Sequence, residues 1–524
     1  MPPPGVNRRD FEAALARFAD IVGADWVFSD DDDLALYRDA YSPFRDERDE
    51  RVASAAVAPR SVEQVQQILR VANAARIPMY PISTGRNLAY GGAAPVLSGS
   101  VVLDLKRMDR VLEVDERNAY ALVEPGVSYF DLYRHIQDRG LKLMLDVPTP
   151  GWGSVIGNAL EHGVGLTPMR DHFDAQCGME VVLADGSLLR TGMGALPGAD
   201  TWQQFKYGIG PYVDGMFSQS NFGVVTKMGI WLLPEPEAVR GLRIRAPRHD
   251  DVEPMVDILC ELANAGVVDA QFSLASPVLH GPRDVELTAL LRDGGTAAQW
   301  DRYARRRGVS FWEATFSFHG PEAVVDARWA HVVDRFGAIP GASYANGPTY
   351  RFPMSATDRE TVPDKGVLGI PSLEGFVGRR AAGVEVPDGH MDFAVVVPRT
   401  GAAVLDALKV LGREFAESAV DVGLGAITSF HRRGFTFISS FPTMRDGRDA
   451  NRRARAVYER AARLAAERGW GQYRAHAGYM DLALSAYAFN ENALVRFHEL
   501  LKEAVDPRGI LAAGRYGIWP RHLR

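Results

Sequence analysis

The stretch from Ser61 to Gly92 limits the possible fold more than any other part of the chain. Ser-Val-Glu-Gln-Val-Gln-Gln-Ile-Leu, beginning at Ser61, predicts a helix opened by a capping box of Ser61 with Gln64, with Val62, Val65, Ile68 and Leu69 on one face. Ile77–Ser83 then reads as a short strand, and a loop rich in glycine and small polar residues follows. In that loop Gly85, Gly91 and Gly92 stand among Ser83, Thr84, Arg86 and Asn87. Such a composition lets backbone amides come close to an anion and point at it, which is how a pyrophosphate is cradled. A glycine turn without a ligand is equally open on composition. Neither a Walker loop nor a Rossmann fingerprint is present: no Gly-Lys-Ser/Thr follows, and no Gly-x-Gly-x-x-Gly succeeds a strand.

Further strands are expected at Val101–Leu105, Ala119–Glu124 and Met179–Leu183, the last closing on the turn dipeptide Asp185-Gly186. The first ~235 residues therefore read as an α+β domain. After Pro234-Glu-Pro-Glu237 the texture changes to longer amphipathic helices, such as Asp251–Gly266, alternating with strand-like runs such as Phe393–Val397. A second domain begins there, because 524 residues exceed what one hydrophobic core serves. A helical pattern from about Asn490 through Leu501 precedes Asp506-Pro-Arg-Gly509 and Leu511-Ala-Ala-Gly-Arg-Tyr-Gly-Ile-Trp519, a segment that pattern alone assigns to neither domain.

A formal charge of -7 with interspersed signs offers no basic stripe for phosphate backbones, so nucleic acid is not expected as a partner. No run of about 18 apolar residues occurs and the first ten residues lack an export-type apolar segment, so the reading is a cytoplasmic protein with no membrane partner. Cys177 and Cys260 are too few for a disulfide framework or a cysteine metal site. No metal is expected, and the chemistry falls to other side chains or a cofactor.

Five stretches, in order, carry a resemblance: the 83–92 loop, Glu124-Pro-Gly-Val127, Pro150-Gly-Trp-Gly-Ser-Val-Ile-Gly-Asn158, Gln219-Ser-Asn-Phe-Gly-Val-Val-Thr-Lys-Met-Gly229 and Gly514-Arg-Tyr-Gly-Ile-Trp519. Together they resemble the vanillyl-alcohol oxidase / 4-cresol dehydrogenase flavoprotein family, with the eugenol oxidase-like 4-alkylphenol oxidases as the nearest branch. The resemblance implies a two-domain α+β fold, with a FAD-binding domain from residues 1–238 and 484–524 and a substrate cap over 239–483. It further implies that Ser83, Thr84, Gly85, Arg86, Asn87, Gly91 and Gly92 hold the FAD pyrophosphate. Pro150, Gly153, Ser154, Gly157, Asn158, Gly223, Val225 and Arg515 are implied to lie along the cofactor. His390, in Pro387-Asp-Gly-His-Met-Asp-Phe393, falls where the family's oxidases bond a histidine to the flavin 8α-carbon. By itself His390 also reads as a surface histidine after a turn.

Tyr473-Arg474, with Tyr90, matches the family's phenolate-binding group. The chemistry is clear on its own: an arginine and two phenolic hydroxyls converging on one oxygen favour the ionised phenol. An ionised phenol pushes electron density to the para carbon, so hydride leaves the benzylic position for flavin N5 and a p-quinone methide results. As a bare dipeptide, Tyr-Arg also reads as a surface pair. The expected activity is FAD-dependent benzylic oxidation of para-substituted phenols, with molecular oxygen reduced to hydrogen peroxide and a homodimer as the family's usual assembly. A cytochrome-linked dehydrogenase and a flavin-binding protein without turnover are the competing readings.

The chain also departs from the family. Thr149 stands where an aspartate lies beside flavin N5, and a threonine cannot accept a proton at neutral pH. Leu166 replaces a further tyrosine, and Met169-Arg170 replaces Tyr-Gly. In the cap, Gly423, Gly425 and Ala426, with Ala394, are expected to widen the pocket enough for a phenol carrying two ortho methoxy groups, a syringol. Glycines that merely bend a strand remain the alternative.

Overall fold

Helix Val62–Ala75 forms where the apolar spacing requires, and Val65, Ile68 and Leu69 are fully buried against Phe18 and Leu103. Each such aliphatic side chain contributes about 1.5–3 kcal/mol on burial. The Ser61 hydroxyl accepts from the Gln64 backbone N–H at 3.4 Å, but the Gln64 side chain takes the Arg60 N–H at 2.8 Å, so the cap is one-sided rather than the reciprocal box expected. The structure, a computed structural model, describes residues 2–148, 150–279, 284–373, 387–418, 420–429 and 431–524.

Strand Met79–Ile82 lies parallel to Val101–Asp104, which is parallel to Ala55–Val57, and Val27–Phe28 closes that four-stranded sheet antiparallel. A second, five-stranded antiparallel sheet has the order Val111–Asp115, Tyr120–Val123, Val224–Trp231, Gln176–Val182, Leu188–Arg190. The C-terminal segment returns to the first sheet. Met79 donates to the Ile510 carbonyl and Ala512 donates to the Met79 carbonyl, both at 2.7 Å. The Lys502 ammonium, fully buried, donates to the carbonyls of Asn221 and Leu511 and to Asp506 at 2.7–2.9 Å. A buried ammonium is tolerable only with such a complete set of acceptors, and here it ties the 500s to the 220s.

Between these two parts of the chain lies an eight-stranded antiparallel sheet, ordered Ser343–Arg351, Ala238–Ala246, Trp312–Gly320, Phe272–Ala275, Gly423–Thr428, Phe435–Thr443, Gly389–Val397, Gln472–Arg474. One face packs on helices that include Val252–Asn264, Gly401–Glu417 and Arg448–Glu467, with Met391, Phe393 and Val395 in the shared core. Because side chains alternate along a strand, His390, Asp392 and Ala394 point to the opposite face. The strand begins at Gly389, four residues earlier than the expected run at Phe393, so His390 sits in a strand and not in a turn. Among the described residues no helix is long and apolar enough to cross a membrane, and no group of His, Cys, Asp or Glu is arranged to hold a metal.

Candidate active site

The 83–92 loop leaves strand Met79–Ile82 and turns back sharply, with Gly85, Gly91 and Gly92 at positive φ. At Gly91 the turn has no alternative: φ is +114° and a Cβ there would lie 2.5 Å from the Ala477 Cβ. A tie across this contact, Ala477 N–H to the Tyr90 carbonyl at 3.0 Å, fastens the loop to the 470s. Opposite the loop, Ser154 caps helix Val155–Leu160 by accepting from the Gly157 N–H at 3.0 Å and donates its own proton to the Pro125 carbonyl at 2.7 Å. Gly157 must lack a side chain because Ser83 Oγ occupies that space.

These segments line an open cleft. Of the residues expected along a cofactor, Ser83, Gly85, Arg86, Asn87, Gly92, Gly153, Ser154, Gly157, Asn158, Gly223, Val225 and Arg515 line it. Thr84, Gly91 and Pro150 stand outside its wall, Thr84 close by with its hydroxyl on the Trp152 carbonyl at 3.3 Å. Three arginines, hydroxyl and amide donors and close-approach glycines, together with apolar Ile82, Val225 and Leu511, fit a ligand with a diphosphate and a flat ring. FAD is such a ligand. Thr149 lies outside the described residues.

Arg474, on the edge strand Gln472–Arg474, also lines the cleft. Its guanidinium carbon lies 4.1 Å from the centroid of the Tyr90 ring, and it donates to the Asn87 side-chain oxygen. Tyr473 is buried beside Tyr90 and Arg474, both near enough to act on its hydroxyl. The three groups that local sequence separates by almost 400 positions are therefore one cluster, adjoining the cleft. Burial raises both phenols above the ordinary tyrosine range, and the Arg474 charge pulls in the other direction. Two neutral hydroxyl donors and a cation are the set that stabilises an oxyanion.

Three further groups escaped the sequence reading. Glu161, 6% exposed, binds Arg515 and the Tyr516 hydroxyl, and its second oxygen is 3.8 Å from Arg474 Nε. It joins the arginine of the cluster to the arginine of the cleft; burial pushes Tyr516 up to about 12. His431 stacks edge-on to Tyr473 with ring centroids 5.2 Å apart, and burial holds its imidazole below the usual histidine range. Asp392 stands on the same strand face as Ala394, which is in register with Arg474, and its charge opposes ionisation of Tyr90 and Tyr473. A pattern search could have found none of these, since each acts through partners from distant strands.

His390 is partly exposed, with its ring 5.4 Å from Tyr41 and Nε2 3.7 Å from Asp392 Oδ1; it does not line the cleft as described. Leu166 lies against Gly366. Ala394 is buried and pairs in register with Arg474 across adjacent strands. Gly423 pairs with Ser440, and a Cβ there would meet nothing closer than 3.7 Å; Gly425 lies two residues along the same strand. Asp146, the nearest carboxylate in sequence to Thr149, is buried and occupied by the Thr167 N–H at 3.0 Å and His172 Nε2 at 3.2 Å. Arg170 has φ +52°, a conformation suited to the glycine it replaces. Its buried guanidinium reaches the carbonyls of Asp269 and Ser429, and burial lowers it to about 10.

Comparison with known proteins agrees with this geometry. Residues 53–192 match the FAD binding domain family. The flavoprotein subunit of 4-cresol dehydrogenase (hydroxylating) from Pseudomonas putida is 33% identical over 527 residues, covering 98% of this chain and 97% of that protein. Among solved structures, 4-ethylphenol oxidase from Gulosibacter chungangensis superposes with a TM-score of 0.87 at 33% identity over the whole of both chains. Substrate-bound p-cresol methylhydroxylase superposes with a TM-score of 0.86 at 31% identity over 99% of each. With near-complete coverage at this identity and a cleft whose donors fit FAD, the chain is a FAD-dependent oxidoreductase belonging to the vanillyl-alcohol oxidase / p-cresol methylhydroxylase family.

Proposed function

We propose that the chain oxidises the benzylic carbon of para-substituted phenols and passes the electrons to molecular oxygen, releasing hydrogen peroxide. The observation that carries this reading is that Tyr90, Tyr473 and Arg474 meet beside the cofactor cleft, with Arg474 shared by both. Tyr90 and Tyr473 donate to the phenol oxygen, and the Arg474 charge favours its ionised form. Negative charge on that oxygen weakens the para benzylic C–H bond toward loss of hydride. FAD, when bound, supplies the hydride acceptor. Water then adds to the p-quinone methide, or a proton is lost to give an alkene. The relatives act, by their names, on 4-cresol and 4-ethylphenol, the substrate class this cluster suits.

On the same reading residues 1–238 and 484–524 hold FAD, 239–483 form the substrate cap, and the protein works as a homodimer. His390 would hold the flavin covalently, since a neutral imidazole is a competent nucleophile. The open space at Gly423 and the small Ala394 support admission of ortho-substituted phenols such as 4-propylsyringol. A preference for 4-propylguaiacol in kcat/KM would defeat that part. The second reading, a dehydrogenase that hands electrons to a cytochrome, is favoured by the 4-cresol dehydrogenase likeness. An oxygen electrode decides: uptake with 4-propylphenol supports the oxidase, and fast dye reduction without uptake selects the dehydrogenase.

A further inference from the structure

We propose that Arg170 is a positioning residue that props the cap-side wall of the substrate pocket and so sets how bulky a phenol the site admits. The inference rests on the phenol oxidation proposed above. Arg170 is costly to the fold in two ways. Its backbone is left-handed, with φ +52°, where a glycine is at ease, and the residue is only 3% exposed. A buried guanidinium ordinarily has a carboxylate partner. Here the carboxylates are engaged elsewhere, Asp269 with Arg328 at 2.8 Å, and Asp146 with the Thr167 N–H at 3.0 Å and His172 Nε2 at 3.2 Å. Arg170 instead donates to two backbone carbonyls, Asp269 at 2.6 Å and Ser429 at 3.4 Å, and its Nε has no acceptor among the described residues.

The base of this strut is stiff. The Gly165 N–H donates to the Arg170 carbonyl at 2.9 Å and the His172 N–H to the Gly163 carbonyl at 3.1 Å, which doubles residues 163–172 back on themselves. The far end meets the point where two cap strands stop. Phe272–Ala275 and Gly423–Thr428 run side by side, and Ser429 fastens their ends: its N–H donates to the Phe272 carbonyl at 3.0 Å and its Oγ accepts from the Phe272 N–H at 2.9 Å. Two residues after Ser429, the His431 ring lies 5.2 Å from that of Tyr473. Arg170 therefore bears, through Ser429, on the segment that backs the phenol cluster. The strand ending there also carries Gly423 and Gly425, with open space at Gly423. A wall of such small residues has little packing of its own to hold it out, and surrounding structure relaxes into a void. The long guanidinium supplies the support. Without it the wall settles toward the 163–172 loop and narrows the pocket for ring substituents, while the phenol oxygen keeps its place.

The test compares the FAD-loaded wild type with Arg170→Gly, the substitution that suits the backbone. The probes are 4-tert-butylphenol and 4-tert-butylsyringol, which have no benzylic hydrogen and report binding alone, through the flavin spectrum. Both present the same ionisable oxygen, so a change in charge, flavin content or fold acts on both and cancels in the ratio of their dissociation constants. Arg170→Gly should weaken the syringol at least about 10-fold relative to the phenol. Its melting temperature should stay within about 3 °C of the wild type, because glycine relieves the left-handed strain and water solvates the two freed carbonyls. With 4-propylsyringol and 4-propylphenol the ratio of kcat/KM should fall by a similar factor, most of it in KM. Arg170→Lys, which keeps the charge and much of the length, should restore part of the ratio. Should Arg170→Gly lose its flavin, Arg170→Asn, which tolerates the same backbone, carries the same prediction. An unchanged ratio in a flavin-retaining variant overturns the inference, as does a wild type that binds only the unsubstituted probe. A wild type that binds neither probe and whose flavin is not reduced by 4-propylphenol overturns the functional reading itself.

Discussion

Arg474→Ala removes the one cation of the phenol-binding cluster. In the structure the guanidinium lies 4.1 Å from the Tyr90 ring centroid, hydrogen-bonds Asn87, adjoins Tyr473, and has Glu161 3.8 Å away. A phenolate in hydrogen-bond contact, with charges about 4 Å apart at an effective dielectric of ~20, is worth about 4 kcal/mol. Two effects bear on that figure. Glu161 keeps Arg515 as a partner, so the substitution strands no buried carboxylate, while water entering the vacated space screens part of the loss. A net loss of about 3–4 kcal/mol in transition-state stabilisation follows, or 10²–10³ in kcat/KM. The assay is anaerobic stopped-flow reduction of the flavin by 4-propylphenol, with bound FAD measured by absorbance in every variant. Arg474→Lys should recover only part, because a point charge lacks the planar fork. A flavin-retaining Arg474→Ala that is reduced within threefold of the wild-type rate would refute the reasoning.

Other consequences are as direct. Acid precipitation of the wild type should leave the yellow colour in the pellet, and His390→Ala should release it to the supernatant; colour in the wild-type supernatant rules out the covalent link. Gly91→Ala should lower the melting temperature by several degrees, since it adds a Cβ 2.5 Å from Ala477 at φ +114°, a cost of about 2–4 kcal/mol in clash and strain; an unchanged melting curve would contradict the close approach. Lys502→Ala should cost about 3–5 kcal/mol by leaving Asp506 buried without its cation, seen as a lower denaturant midpoint. Burial holds His162, His319 and His431 below the ordinary histidine range. The unfolded chain then binds more protons than the folded one, so stability should fall as pH drops through about 6.5. His431→Gln should flatten that fall, and an equal slope in the variant would contradict it.

Much of the site was legible because its parts are local. A glycine loop needs its glycines wherever the backbone doubles back, and the helix–strand–loop order around it follows from side-chain periodicity. The three members of the phenol cluster were recognisable only through family likeness, because nothing in the 83–92 loop encodes its contact with Tyr473 and Arg474. Glu161 and Asp392 stayed hidden for a related reason. The chain has 66 acidic residues, and what distinguishes these two is a partner across a sheet or a cleft: Arg515 for one, Ala89 and Ser440 for the other. The C-terminal segment looked detached because its anchor, Lys502 on the Asn221 carbonyl, spans 281 positions. Gln64 misled the capping reading by one residue, since its amide reaches Arg60 as readily as the cap itself.

The central claim is that an ionised phenol oxygen, held by Tyr90, Tyr473 and Arg474, drives hydride from the para benzylic carbon. The measurement closest to it is anaerobic bleaching of the bound flavin by 4-propylphenol compared with 4-propylanisole, its methyl ether. The two share the benzylic C–H bonds, but the ether cannot ionise. The account predicts rapid loss of flavin colour with the phenol and none with the ether; comparable bleaching by both would contradict it.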